Sequence, residues 1–321
     1  MTYSAGGLIQ STDYNGFVST TAGANVNDIW GTGSGDKGWG QTALATVAAT
    51  NTVTATQWAS LVNTLSSMGS QTGTTLTART APVAGNTIQI LSALNTDLTN
   101  CTTNRGNAAG SGAQFTGWTG TNSKTTATSG ATWTITITNT LTFASANAAR
   151  YFWNAGGLVK IQVAKSATGA TGDPEWNDLA STLCGAIWIS GRVNSAAQTI
   201  AGTSYTGTTK IGGTGTPTTL TTTTGWYQLL TTDTVIYKQF ADTAPYTSNY
   251  IQHSAKTAGT GTQLVVTTVF SASDGDPISG GTAPTGATPG TAPCAIMTYY
   301  PPATTYLTNS WGTPTVAATT V

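Results

Sequence analysis

Residues 132–143 read TWTITITNTLTF, and this stretch is the clearest fold signal in the chain. Apolar side chains alternate with threonine, and Asn139 is the one polar member of the apolar series. A period of two places the apolar side chains on one face of a β-strand and the threonines on the other. Threonine is β-branched, so it suits a pleated surface and keeps it soluble without charge. The stretch predicts a strand with one buried face and one hydroxyl-rich face.

Strand patterns continue on the C-terminal side of this stretch. They are predicted at 158–165, 185–190, 226–230, 235–240, 249–256, 263–270 and 294–299. The segment 257–262 holds two glycines and predicts a hairpin loop. Short helices are expected at 145–154 and after Asp173. Many antiparallel strands with short crossings predict a β-sandwich or jelly-roll-like domain over 131–303. The predicted fold class is therefore mainly β with an N-terminal helical part.

The region 1–105 is predicted to be a helix-and-loop region that serves attachment or oligomerisation. One helix places its apolar residues on a single face, and these are Trp58, Leu61, Val62, Leu65 and Met68. Thr54 or Thr56 is the expected N-cap, and Gly69 is the expected end of the helix. A weaker helix is expected after Thr12.

Another helix is predicted from about residue 86 to about residue 104. Leu91, Leu94, Leu98 and Cys101 follow one another at spacings of 3, 4 and 3. This spacing has two interpretations: an ordinary core face, or the seam of a bundle between subunits. Our candidates for oligomerisation or attachment come from these two helices, and they are Trp58, Leu61, Leu65, Leu91, Leu94 and Leu98.

The stretch 106–130 is rich in Gly, Thr, Ser and Asn and is interpreted as a linker or an irregular surface crossing. The segment 304–321 is predicted to be a C-terminal arm. It contains Tyr306, Leu307 and Trp311, which are further candidates for attachment. It is either an edge strand of its own domain or an arm that docks on a neighbour.

The composition favours a structural role. Threonine accounts for 72 of the 321 residues, and only 7 % of the residues are charged, against about 25 % in an average domain. The net charge is zero and no Lys/Arg run occurs, so nucleic-acid binding is disfavoured. No apolar segment is long enough for a membrane span and no signal peptide is visible, so we expect assembly in a cytoplasm.

Residues that carry chemistry are scarce, and we predict no catalytic site, no metal site, no cofactor and no enzyme activity. Glu175 is the only glutamate, and it is interpreted as a first-turn helix residue. His253 is the only histidine, and it is interpreted as a buried strand residue. Asp274 and Asp276 indicate a turn, with a weak calcium loop as the lesser alternative.

Cysteines and aromatic residues leave alternatives open. Cys101, Cys184 and Cys294 are far apart, so free buried thiols are favoured over one disulfide with an orphan. Trp226 and Tyr227 are possible ligand-facing aromatics that stack on sugars, although core packing is the commoner role of such residues.

Several blocks resemble virion structural proteins of tailed bacteriophages, especially cyanophage-like ones. The matching blocks are 32–35, 38–41, 55–61, 104–105, 148–157 and 301–314. The most specific are RYFWNAGG at 150–157 and YLTN at 306–309. The segment 69–71 departs from the pattern, because relatives often carry a His-Gln pair there.

This resemblance implies a particle component without an enzymatic role: a tail fibre, neck or baseplate appendage located in the virion. The expected partners are other copies of the chain, most simply in a homotrimer, and other tail or neck proteins. The alternative is a module at a fibre tip that binds a host glycan or receptor.

Overall fold

The computed structural model describes residues 10–19, 24–85, 91–109, 119–123, 133–165, 173–192, 197–273 and 294–320. The α-helices are α1 Ser11–Val18, α2 Val26–Ile29, α3 Ala55–Thr72, α4 Leu91–Thr103, α5 Ala146–Asn154 and α6 Asp173–Asp178. The first seven strands are β1 Thr119–Ser123, β2 Trp133–Thr142, β3 Leu158–Ala164, β4 Ala186–Ile189, β5 Gln198–Ile200, β6 Thr203–Tyr205 and β7 Thr208–Ile211. The remaining strands are β8 Thr219–Leu220, β9 Thr234–Phe240, β10 Tyr250–Ala258, β11 Gln263–Ala272, β12 Cys294–Tyr300 and β13 Thr315–Thr320.

The predicted strand at 132–143 is β2, and it lies inside a six-stranded antiparallel sheet of order β13-β2-β11-β10-β9-β8. The alternation of apolar residues and threonine along β2 matches the burial of its side chains. Ile137 and Leu141 are buried, whereas Thr138 and Thr140 are half-buried on the opposite face. The hairpin between β10 and β11 forms as predicted, with its loop at 259–262.

A second antiparallel sheet has five strands in the order β1-β12-β3-β4-β7, and β5 pairs with β6 in a small third sheet. At one side β1 lies beside β13, and at the other β7 lies beside β8. The predicted fold class is confirmed: the chain is mainly β, with helices mainly in the N-terminal part and an antiparallel, sandwich-like pair of sheets.

Side chains from both large sheets meet in a shared apolar core. Ile137 of β2 and Phe270 of β11 belong to the same buried cluster as Ile187 of β4. The cluster also includes Leu179 and Leu183, which lie on a π-helical turn that continues directly from α6. The α6 segment therefore contributes to the space between the sheets.

A larger apolar cluster joins the N-terminal helices to the sheets. Phe17, Trp58 and Leu98 belong to it together with Phe152 of α5 and Met297 of β12. The predicted region 1–105 is thus packed against the predicted β-rich domain and shares its core. Likewise, the predicted linker 106–130 contributes β1, which pairs with β12, and Ala108, which is buried.

Three local predictions need correction or refinement. The helix α3 does start at the N-cap Thr54, but it runs through Gly69 and ends at Gly73, whose φ is +68°. Gly69 is buried, and a Cβ there would lie 2.6 Å from a methyl group of Leu76, so close packing explains this glycine. The predicted strand at 226–230 is instead a 3₁₀ turn, Trp226–Gln228.

The C-terminal segment corresponds to the first of its two alternatives. β13 pairs antiparallel with β2, with Val316 opposite Leu141. The segment is therefore an edge strand of its own sheet. Among the described residues, no helix has the length and apolar character that crossing a bilayer requires.

Candidate functional site

The apolar residues proposed for attachment lie inside the chain's own core. The buried ones are Trp58, Leu61, Leu65, Leu94, Leu98, Leu307 and Trp311. The Trp58 ring lies 5.9 Å from Tyr14 and 6.1 Å from Phe17, measured between centroids. The side chain of Leu91 lies outside the described residues. Tyr306 is 45 % exposed and is the only described candidate that faces solvent.

This placement decides between the two interpretations of α4. Leu94, Leu98 and Cys101 belong to the same buried cluster as Trp58. The heptad-like spacing is therefore an ordinary core face, because α3 and the rest of the chain already cover it.

The possible ligand-facing aromatics differ in burial, because Trp226 is buried and Tyr227 is half-buried. Trp226 is 8 % exposed and stacks on Trp153, with centroids 5.9 Å apart and an interplanar angle of 19°. The Tyr227 hydroxyl lies 3.0 Å from the Gly35 carbonyl oxygen, to which it donates, and it also contacts Oδ1 of Asn154. The Trp226 ring is therefore not displayed to a sugar, and burial raises the pKa of Tyr227, so its hydroxyl stays neutral.

Four of the six blocks that carry the phage resemblance lie together in one place, and these are 32–35, 38–41, 148–157 and 301–314. We call this place the junction and define it as residues 30–41, α5 with residues 155–157, and residues 306–312. Asn154 is buried, and its Nδ2 donates to the carbonyl oxygens of Gly35 at 3.3 Å and Gly38 at 3.1 Å. In return, Nε1 of Trp39 donates to the Asn154 carbonyl oxygen at 3.0 Å.

Arg150 connects α5 to residues 30–41 through hydrogen bonds. Its guanidinium donates to the carbonyl oxygens of Thr32 at 2.6 Å and Lys37 at 2.5 Å. A guanidinium presents several donors in a fixed plane, so it suits two main-chain acceptors at once. Within the same segment 30–41, Asp36 forms an ion pair with Arg105 at 2.7 Å.

The C-terminal block closes the junction. Gln41 receives a hydrogen bond from the Thr308 amide at 2.8 Å, and its Nε2 donates to the Thr308 carbonyl oxygen at 2.9 Å. The Ser310 hydroxyl donates to the Trp39 carbonyl oxygen at 2.5 Å. Three distant stretches of sequence are thereby held together by bonds directed mainly to main-chain atoms. The junction is built to fix chain segments.

Gly40 allows the close approach within the junction. Its φ is +69°, and a Cβ there would lie 2.4 Å from a ring carbon of Tyr151 and 2.9 Å from the Cβ of Ser310. Only glycine fits both the backbone conformation and the available space. The structure therefore gives a physical reason for the glycine at position 40 of the block 38–41.

His253 lies away from the junction, on the inner face of β10 with Ile251. It is 1 % exposed, its Nδ1 lies 2.9 Å from the Thr268 hydroxyl, and its ring stacks on Tyr237. Burial lowers its pKa to about 3. A neutral, enclosed imidazole packs the sandwich, as its interpretation as a buried strand residue expects.

The cysteines are unpaired, which matches the favoured alternative. Cys101 and Cys184 are buried and Cys294 is half-buried, and all three are free. Burial raises the pKa of Cys101 to about 12 and that of Cys184 to about 11, so both remain thiols at neutral pH. A raised pKa makes a cysteine a poor nucleophile.

One cluster of charged groups was missed by sequence reasoning. Glu175, Asp178 and Asp242 each place a carboxylate oxygen within 4.8 Å of the others. Burial raises the pKa of Glu175, and the neighbouring Asp178 and Asp242 raise it further. The spacing of Glu175 and Asp178 on one helix was a visible signal, but the approach of Asp242 depends on the sheet. Asp274 and Asp276 lie outside the described residues.

No protein-family model, curated protein or solved structure matches the chain.

Proposed function

We propose that this protein is a structural component of a tailed bacteriophage particle, a tail fibre, neck or baseplate appendage, and that it assembles as a homo-oligomer, most simply a trimer. The observation that carries the proposal is the junction. Four of the six blocks that resemble virion proteins contribute to binding three distant segments of the chain together. Segments fixed in this way make a firm subunit, which supports the structural role that the resemblance implies.

The surface fits the same role. The polar groups of the chain are mainly hydroxyls and amides, because only 7 % of its residues are charged. Subunits with such surfaces associate through neutral contacts that salt screens weakly. A permanent assembly of this kind typically buries more than about 2,000 Å² of total surface. The contact surface must differ from the α3 and α4 faces, since these are already buried.

Light scattering on the purified full-length chain, at low and at high salt, tests the oligomer. We expect a mass three times that of the 32.6 kDa chain, unchanged by salt. A monodisperse monomer at high protein concentration would count against a self-assembling appendage. Immunogold labelling of particles of the encoding phage tests the location, and unlabelled particles would contradict it.

The alternative, a glycan-binding module at a fibre tip, has less structural support. It relied on Trp226, which is buried, and on Tyr227, which is half-buried and donates its hydroxyl to the Gly35 carbonyl oxygen. Among the described aromatic side chains, Tyr306 is the one with a large exposed surface. Glycan-array binding that Tyr306→Ala abolishes would favour this alternative over the structural role.

A further inference from the structure

Three of the chain's 11 acidic residues converge at one place outside the junction. Glu175 and Asp178 lie on α6, and Asp242 follows β9. One carboxylate oxygen from each lies within 4.8 Å of the other two. Like charges at this separation destabilise one another unless a proton or a cation intervenes. In a chain with so few charges, this juxtaposition calls for a physical reason.

The environment of Glu175 is an independent observation. Glu175 is only 9 % exposed, and its Oε1 has no hydrogen-bond partner among the described residues. Thr243 interacts with the Glu175 carboxylate through its side chain and its main chain. Even so, no donor reaches the Oε1 atom of Glu175. The ion pairs between described residues involve other carboxylates. A buried carboxylate oxygen without a donor is costly and suits a positively charged ligand.

We propose that Glu175, Asp178 and Asp242 form a binding site for a hard divalent cation, Ca²⁺ in preference to Mg²⁺. All three donors are carboxylate oxygens, which are the ligands of hard cations and not of thiophilic or imidazole-binding metals. Asp178 is half-buried and Asp242 is exposed, so water can complete the coordination on the outer side. Ca²⁺ accepts irregular shells of six to eight oxygens, whereas Mg²⁺ requires a near-ideal octahedron.

The ion would connect two parts of the fold. The helix α6 continues into the π-helical turn whose Leu179 and Leu183 lie in the sandwich core. Asp242 belongs to the segment between β9 and β10. A cation shared by these elements binds the folded chain only, so it stabilises the fold in proportion to its occupancy. For three carboxylates with a water-exposed side, we expect a dissociation constant of about 10⁻⁴ to 10⁻³ M.

Thermal unfolding of the full-length chain provides the first test. We expect the melting temperature in CaCl₂, relative to EDTA, to rise by roughly 5 °C at about a hundredfold excess over the dissociation constant. MgCl₂ at equal ionic strength should produce a smaller rise. Tb³⁺, a luminescent Ca²⁺ substitute that a nearby tryptophan such as Trp176 sensitises, should bind and be displaced by Ca²⁺.

Variants assign the effect to the cluster. Asp178→Asn and Asp242→Asn should each weaken Ca²⁺ and Tb³⁺ binding by at least about tenfold. In EDTA, the same variants should melt at or above the wild-type temperature, because one repelling charge is gone. Asp233→Asn is the matched control, since Asp233 is a partly exposed carboxylate paired with Lys256, and it should keep the full Ca²⁺ response.

Two results would overturn the proposal. One is a wild-type chain whose melting temperature does not respond to Ca²⁺, while Asp178→Asn raises it in EDTA. In that case, a bound proton alone would relieve the repulsion among the three carboxylates. The other is a Ca²⁺ response that survives in both Asp178→Asn and Asp242→Asn, which would place the ion elsewhere.

Discussion

At the residue scale, His253 is the only histidine in the chain, and it is enclosed on the inner face of β10. Its position gives the protein a simple pH signature. Burial lowers the pKa of His253 from 6.5 to about 3. Between these two pH values, His253 is therefore neutral in the folded state and protonated in the unfolded state. No second imidazole obscures this effect.

We predict that the folded state loses stability as the pH falls from 7 to 5. The unfolded histidine binds its proton near pH 6.5, so the loss begins there and continues toward the folded pKa of about 3. Between pH 7 and 5 it should amount to about 2 kcal/mol. Glu175 acts in the opposite direction, since its raised pKa favours the folded state as the pH falls. Urea unfolding at pH 7 and pH 5 measures the net effect of His253 and Glu175 on the free energy of unfolding.

His253→Gln is the control for this prediction, because it removes the titrating ring. The variant should be less stable at pH 7, yet its stability should change less between pH 7 and 5. An unchanged pH dependence in the variant would show that other groups cause it.

A second prediction at this scale concerns Gly40. Gly40→Ala should cost about 2–4 kcal/mol of unfolding free energy, because the new Cβ meets Tyr151 and Ser310 and the backbone has a positive φ. Gly312→Ala is the matched control: its φ is +71°, and a Cβ added there would meet nothing within 4 Å. The control should cost about 1 kcal/mol. Equal losses in chemical denaturation would contradict the steric role of Gly40 in the junction.

At the scale of elements, α3 shows how local sequence sets a boundary. The Thr54 hydroxyl accepts from the Gln57 amide at 3.2 Å, and Oε1 of Gln57 accepts from the Thr54 amide at 2.8 Å. This reciprocal pair is a capping box. The sequence offered Thr54 and Thr56 as caps, and the structure selects Thr54.

We predict that Thr54→Ala lowers the unfolding free energy by about 1 kcal/mol. Thr56→Ala removes a similar hydroxyl from an exposed position inside the helix, where alanine is the better helix former. It should be neutral or slightly stabilising. Guanidinium unfolding of both variants tests the assignment, and a larger loss in Thr56→Ala would reverse it.

The elements also show what sequence can and cannot predict. β2 was predictable because its alternation matches the period of a strand, and β10 and β11 because a glycine-containing loop separates two such runs. The short strands between residues 198 and 220 were missed, because each has only two to four residues and threonine is frequent in them, so they give no apolar period. The bonds from Arg150 and Asn154 were equally hidden, because their acceptors are main-chain carbonyls that every residue carries.

At the scale of the whole molecule, the N-terminal helices and the sheets share one apolar core. Phe17 and Trp58 belong to the same buried cluster as Phe152 and Met297. Fully burying one such side chain stabilises the fold by about 1.5–3 kcal/mol. Among the described residues, one apolar cluster therefore contains side chains from both sides of residues 106–130.

We predict that a fragment of residues 131–321 does not fold cooperatively by itself. Loss of residues 1–105 would expose Phe152, Met297 and the apolar side of β3, and loss of 106–130 would remove β1 from its sheet. The fragment should bind a hydrophobic dye and lack the near-ultraviolet circular dichroism of the full-length chain. A fragment with a sharp thermal transition and native-like dichroism would restore the two-part organisation.

The side-by-side placement of β1 with β13, and of β7 with β8, has a consequence for crowded conditions. A strand at the rim of a sheet normally offers main-chain donors and acceptors to any extended peptide, and it can template aggregation. In this fold, the rim strands of each large sheet stand next to those of the other. Where the rims stand together, each one leaves less room for a strand of another copy, so this arrangement disfavours strand addition when many copies are concentrated.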